Sequence, residues 1–229
     1  MSVSPPQSGA ERAKREAGER AAMEVRSGMV VGLGTGSTAK FAVEAIGQML
    51  ARGDLKDIVG IPTSHRTREL AQQLGIPLTS LNEHPVVDLT IDGADEVDPD
   101  GNLIKGGGGA LLWEKMVATA SKRLLIVVDE SKLVARLGES FAVPVEVITF
   151  GWKVHETALR DLGASPRLRL DDAGAPYRTD EGHYIIDCRF ADGIANPRAT
   201  EDAIRSRVGV VATGLFLDMA PEVIVGRVA

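Results

Sequence analysis

Short apolar, β-branched runs alternate with helix-patterned segments through the first 130 residues. Met29–Leu33, Asp57–Ile61, Ile76–Leu81, Val86–Asp92 and Leu124–Asp129 read as strands. Between them, Phe41, Ala42, Ala45, Ile46, Met49 and Leu50 are spaced for one helical face, with Gly53 as C-cap. Ser64 can cap a helix running to Leu74 and stopped by Gly75, and Leu111–Ala120 reads as another helix. Glu11–Val25 has helix-forming composition, and Gly28 stops it; residues 1–10, with Pro5, Pro6 and Gly9, are expected to be disordered. Strands alternating with helices predict an α/β fold, a parallel sheet covered on both faces.

After Ser140 the pattern changes. Val143–Phe150 reads as a strand, Trp152–Leu162 as a helix ending at Gly163, and Arg167–Leu170 and Tyr184–Cys188 as two further strands. Pro197–Arg207 reads as a helix with proline in its first turn. This β-α-β-β-α order predicts a small antiparallel α+β unit. Gly209–Phe216 and Glu222–Val225 are expected to be short strands returning to the main sheet. The domains expected are therefore 11–140 with 209–229, and 141–208.

Several function classes are disfavoured. The net charge is −6 with no basic run, which argues against a nucleic-acid surface. No segment approaches the ~20 apolar residues of a membrane span, and the polar N-terminus has no apolar core of signal-peptide length. A cytoplasmic protein is expected. The single cysteine, Cys188, excludes an intrachain disulfide and fits a reducing compartment; its place in the strand-like YIIDCRF argues against a nucleophile. His65, His84, His155 and His183 show no metal-ligand spacing.

Chemistry-bearing residues gather where strands are expected to end, and ligands of open α/β sheets bind there. GLGTGST, Gly32–Thr38, lies between a strand and a helix and can offer amide N–H groups and hydroxyls to an anion. Its spacing is not that of a dinucleotide or Walker loop, and no acidic residue closes the second strand, so a phosphate monoester fits better than NAD or ATP. A tight strand-to-helix turn explains the motif about as well. Asp92–Gly93–Ala94–Asp95 puts two carboxylates beyond an apolar strand, able to bind a metal, act as acid and base, or hold sugar hydroxyls. The neighbouring Glu96, Asp98, Asp100 and Gly101 read as an Asp-rich turn. Lys105 followed by Gly106–Gly109 suits backbone passing close to a ligand, with a cation for a developing oxyanion. Glu114 falls in the first turn of the next helix, at the edge of a stripe set by Leu112, Trp113, Met116 and Ala120. Alone it reads as a dipole-favoured first-turn acid; beside Lys105 and two aspartates a general base becomes reasonable. Lys132, in DESK, points to the same sheet edge and suits a phosphate.

Together GLGTGST, IDGADEVD, LIKGGGGALLWEK, VDESK and VPVEV resemble ribose-5-phosphate isomerase of the A type, in that family's order and spacing. The resemblance runs from about residue 11 to the C-terminus. It implies a Rossmann-like α/β domain with a smaller ferredoxin-like α+β domain. It implies a metal-free, cofactor-free interconversion of D-ribose 5-phosphate and D-ribulose 5-phosphate through an enediolate, in the non-oxidative pentose phosphate pathway, by a homodimer or homotetramer. The family's substrate loop falls on Thr35, Gly36, Ser37 and Thr38, its aspartate pair on Asp92 and Asp95, and its Lys-Gly loop on Lys105, Gly106, Gly107 and Gly108. Its proton-accepting glutamate falls on Glu114, its phosphate-contacting lysine on Lys132, and a further phosphate contact on Lys14. A non-catalytic sugar-phosphate sensor is the alternative; it would need neither Glu114 nor Lys105. A nucleotide-dependent oxidoreductase is disfavoured by the missing ribose acid.

Overall fold

The structure, a computed structural model, describes residues 8–227. The disorder expected over residues 1–7 lies outside that range. At Ser8–Ala10 the expectation is corrected: Ser8 accepts a hydrogen bond from the Glu11 amide and starts helix α1, Gly9–Ala22. Strand β1, Val30–Leu33, is followed by helix α2, Ala39–Arg52, which ends on a left-handed Gly53. Strand β2, Val59–Pro62, leads to helix α3, His65–Gln73, capped by Ser64 as expected. The expected strand at Ile76–Leu81 is reduced to a single bridge between Leu78 and Gly60. Pro77 has no N–H to continue a ladder, and its carbonyl accepts from Gly60 instead.

Strand β3, Leu89–Asp92, precedes a hairpin that the sequence did not announce, β4 (Glu96–Val97) against β5 (Leu103–Ile104). Its turn is the Asp-rich one, with Asp98 accepting from the Asp100 and Asn102 amides. Glu96 is not part of that turn. It is wholly buried and accepts from the amides of Gly138, Ser140 and Phe141. Helix α4, Leu111–Thr119, and strand β6, Leu124–Asp129, complete this half.

The main sheet has the order β12-β6-β3-β1-β2, all parallel, where β12 is Glu222–Gly226. Every residue of β6 is buried, as a strand covered on both faces requires. From β1 the chain steps to β2 on one side and then to β3 on the other. The strand order therefore reverses between β1 and β3, and a crevice opens beyond their carboxyl ends.

The second sheet is antiparallel, in the order β10-β7-β9-β8. It comprises β7 (Val143–Val147), helix α5 (Val154–Asp161), β8 (Ala164–Leu168), β9 (Tyr184–Phe190), helix α6 (Pro197–Arg205) and β10 (Val210–Thr213). Cys188 is buried on β9, and burial pushes its thiol up to about 12.

The expected strand Gly209–Phe216 does not return to the main sheet. Val210–Thr213 pairs with β7, while Leu215–Phe216, β11, pairs with β5. The chain changes sheets at Gly214, where a Cβ would lie 2.4 Å from the Lys105 carbonyl and 2.5 Å from Pro144. Its amide donates to the Pro144 carbonyl and its carbonyl accepts from Lys105. A side chain could not pass there, so the crossing and the glycine come together. The crossing thus lies after β10, later than the expected boundary at 208/209, and β12 alone rejoins the main sheet.

Candidate active site

The loops after β1 and β3 meet in the crevice. Thr35 donates its amide to Asp92 Oδ1 at 3.0 Å, and Gly93 donates to the same oxygen at 2.7 Å. A Cβ at Gly34 would sit 2.4 Å from both Asp92 Oδ1 and the Ile91 carbonyl, so the first loop crosses directly over the end of β3. The Thr35 hydroxyl lies 2.8 Å from those of Thr63 and Ser64 and 3.0 Å from that of Thr67. The N-terminus of α3 thereby braces the loop.

Lys105 emerges from β5 into the protein interior and is 2% exposed. Its Nζ lies 3.0 Å from Asp92 Oδ2 and 3.1 Å from Glu114 Oε1, and it donates to the Gly93 carbonyl. The Phe216 ring closes its other side, 5.6 Å away. Glu114 belongs to the buried face of α4, with Leu111, Val117 and Ala118. The expected stripe is corrected accordingly: Met116 is largely exposed, and the Trp113 indole donates to Glu181. Glu114 stands within the packed face rather than at its edge, and its Oε2 is buried without a hydrogen-bond partner.

Two carboxylates around one ammonium leave an excess of negative charge in a buried site. Burial, reinforced by the neighbouring Asp92, pushes Glu114 up to about 8 despite the opposing attraction of Lys105. Burial also raises Asp92 against Lys105 and its two amide donors. The Lys105 ammonium is opposed by burial but held in its charged form by both acids, so its pKa is raised.

One cavity, with about 530 Å³ of empty space including its mouth, joins these groups to the rest of the expected site. Asp95, Lys105 and Glu114 line one part together with Gly93, Ala94 and the Gly106–Gly108 backbone. Asp95 accepts from the Gly107 amide at 2.8 Å. Thr35, Gly36, Ser37 and Thr38 line another part, joined by Lys14 and Lys132. There the Lys14 ammonium donates to the Ser37 hydroxyl at 3.1 Å and lies 3.8 Å from Asp129. Lys132 ends a 3₁₀ turn that follows β6 and is capped by Asp129. Two ammonium groups, a hydroxyl and the start of α2 thus converge on one part of the cavity, a combination chemically suited to a dianion. Asp92 is the one expected residue that does not line the cavity. At 1% exposure it sits behind, holding Lys105 and the Thr35 amide. Among the described residues, no cluster of three His, Cys, Asp or Glu side chains is placed to hold a metal ion.

Residues 59–229 match the family model described as ribose 5-phosphate isomerase A (phosphoriboisomerase A). The chain belongs to that family. It is 52% identical to ribose-5-phosphate isomerase A of Synechococcus sp. (strain JA-3-3Ab), over 94% of each chain. Among solved structures, ribose 5-phosphate isomerase from Plasmodium falciparum is 41% identical with a TM-score of 0.91, covering 95% of this chain and 94% of that one. A D-ribose-5-phosphate isomerase solved with phospho-erythronic acid is 40% identical with a TM-score of 0.92, covering 95% of each.

Family membership does not by itself explain residues that the sequence left unmarked. Thr63 and Thr67 brace Thr35, Phe216 packs under Lys105, and Arg169 and Tyr177 reach the glycine loop from the small sheet. Only Ser64 carried a local signal, as a helix cap. The others meet the site through pairings too distant for any periodicity to show.

Proposed function

We propose that this protein interconverts D-ribose 5-phosphate and D-ribulose 5-phosphate through an enediolate, as a metal-independent enzyme of the non-oxidative pentose phosphate pathway. The observation that carries the reading is the buried Lys105–Glu114 pair, with an unpartnered glutamate oxygen, in the cavity that also holds the dianion receptor. A protein that only bound the sugar would gain nothing from two dehydrated carboxylates around an ammonium, an arrangement that is costly to bury.

Glu114 takes the proton from C2 of the open-chain sugar and returns it to C1, while the hydroxyl proton on O2 passes to O1. Lys105 and the glycine-loop amides stabilise the oxyanion that forms between. Asp95 holds sugar hydroxyls and, with them, favours ring opening. Asp92 keeps Lys105 charged and in place, acting through the lysine from behind the cavity. Lys14, Ser37, Thr38 and Lys132 take the phosphate, whose binding energy positions the reacting end. The main sheet forms the catalytic, Rossmann-like domain, and the four-stranded sheet a ferredoxin-like one. A homodimer or homotetramer in the cytoplasm, using neither nucleic acid nor membrane as a partner, completes the proposal.

The direct test is to dialyse the protein against a chelator, add ribose 5-phosphate and follow ketose. Full turnover is expected. Activity that vanished and returned only with a divalent ion would overturn the metal-free reading, and no turnover under any condition would favour the sensor.

Lys132 provides a second test. A charge-assisted contact to phosphate contributes about 1.5–3 kcal/mol, largely alike in ground and transition states. Lys132→Ala should therefore raise KM roughly tenfold or more with a smaller change in kcat. A collapse of kcat at unchanged KM would place Lys132 in the chemistry instead.

A further inference from the structure

Arg169 follows β8 and has no part in the roles above. Its backbone is pinned on both sides: its amide donates to the Ile185 carbonyl at 2.8 Å, and its carbonyl accepts from Tyr177 at 2.9 Å. Nε and Nη2 donate to the two carboxylate oxygens of Asp187 on β9, at 2.9 and 2.5 Å. That two-point pairing fixes the plane of the guanidinium. The remaining nitrogen, Nη1, donates to the carbonyls of Gly106 at 2.9 Å and Gly107 at 3.1 Å. Arg169 itself does not line the cavity.

A trans peptide is planar, so its C=O and the following N–H point in opposite directions. With the Gly106 carbonyl turned to Arg169, the Gly107 N–H points away and donates to Asp95. With the Gly107 carbonyl turned the same way, the Gly108 N–H also points away from Arg169. Gly108 lines the cavity, and its N–H has no acceptor among the described residues. Within the loop the Gly109 amide donates to the Gly106 carbonyl at 3.0 Å, whereas the Gly107 carbonyl meets no donor of the loop. Glycine peptides lack the Cβ that would restrict their rotation, so the Gly107–Gly108 plane is held from outside, by Arg169, which also reinforces the plane before it.

We propose that the Arg169–Asp187 pair is a positioning device for the isomerisation, fixing the Gly106–Gly107 and Gly107–Gly108 peptides so that the Gly108 amide is presented to the developing oxyanion and Asp95 keeps its donor. The inference rests on the proposed role of the Lys105–Gly108 loop. It gives the small antiparallel sheet a function in the chemistry of the large one. Lysine would replace it poorly, because one rigid plane reaches four acceptors here.

The test compares Arg169→Gln, Arg169→Lys and Asp187→Asn with wild type, with Glu114→Gln as reference. Each is assayed with ribose 5-phosphate and with two inhibitors: phospho-erythronic acid, whose carboxylate stands in for the oxyanion end, and the matching phosphorylated four-carbon alcohol. For Arg169→Gln, kcat should fall on the order of 10²-fold with KM within about threefold of wild type. The acid should bind at least about tenfold more weakly, while the alcohol binds as before. Asp187→Asn should shift the same quantities less, and Arg169→Lys should recover part of the loss. Near-normal kcat in a folded Arg169→Gln overturns the proposal, as does equal weakening of both inhibitors, which would mark a general loss of structure. If Arg169→Gln does not fold, the same readings on Arg169→Lys and Asp187→Asn decide. Turnover that survives Glu114→Gln would overturn the site reading and this inference with it; a dead Glu114→Gln beside a normal Arg169→Gln would overturn this inference alone.

Discussion

Glu114→Gln should lower kcat by about 10²–10⁴-fold or more while ribose 5-phosphate still saturates the enzyme. Glutamine keeps the size and one acceptor for Lys105 but cannot take a proton. The proposed phosphate receptor of Lys14, Ser37 and Lys132 involves other residues, so ligand binding should persist. In deuterated water the variant should yield neither ketose nor labelled sugar. Near-normal turnover would move the base elsewhere, with Asp95 next in line. The same carboxylate sets a pH limb. Burial raises Glu114 to about 8, and a general base acts only when ionised, so kcat/KM of the wild type should fall as pH drops below that value. An ordinary glutamate would place that fall near pH 4. A profile flat from pH 5 to 9 would remove Glu114 from the role of base in the free enzyme.

Lys105→Met should damage both activity and stability. The substitution keeps much of the length but leaves Asp92 and Glu114 buried without their shared cation. Breaking a buried ion pair by removing one partner costs about 3–5 kcal/mol. Loss of an oxyanion donor alone typically lowers kcat about 10²–10³-fold. The stability loss should depend on pH in a stated direction. Without Lys105 both folded-state carboxyl pKa values rise further above their unfolded values. The folded protein then binds more protons than the unfolded chain across that window, so stability falls as pH rises through it. Thermal melts should therefore show the variant losing stability from pH 5 to pH 8, and its gap from wild type widening above about pH 8, where the wild-type Glu114 ionises and the variant's does not. A variant equally stable at both pH values, or one that kept full activity, would contradict the charge arrangement described.

Much of this was legible locally. The helices around Ile46 and Leu70 and the strand Leu124–Asp129 declare themselves by spacing and by glycine and serine at their ends. GLGTGST, DGAD and KGGGG declare themselves because glycine and carboxylate are uncommon choices at the ends of apolar strands. These are properties of neighbours in the chain, and local conformational preference is enough to express them. The depth of Glu114 was not legible. A helical wheel ranks Leu112, Trp113 and Met116 as the inner face by hydrophobicity, whereas the tertiary packing buries Leu111, Glu114, Val117 and Ala118. Lys105 compensates the charge, so a polar residue can occupy an inner position that composition would refuse.

The sequence by itself determined the two kinds of secondary-structure pattern, the order of the elements and the identity of nearly every group that meets in the cavity. Only the tertiary structure decided that Asp92 stands behind Lys105 instead of in the cavity wall, that Glu96 tethers a distant loop, and that Gly209–Phe216 divides between two sheets at Gly214. It alone brought Arg169 across 63 residues to the carbonyl of Gly106. Each of these depends on which surfaces come together when the sheets, including the small one of β4, β5 and β11, pack together, and a contact between segments far apart in the chain leaves no period in either one.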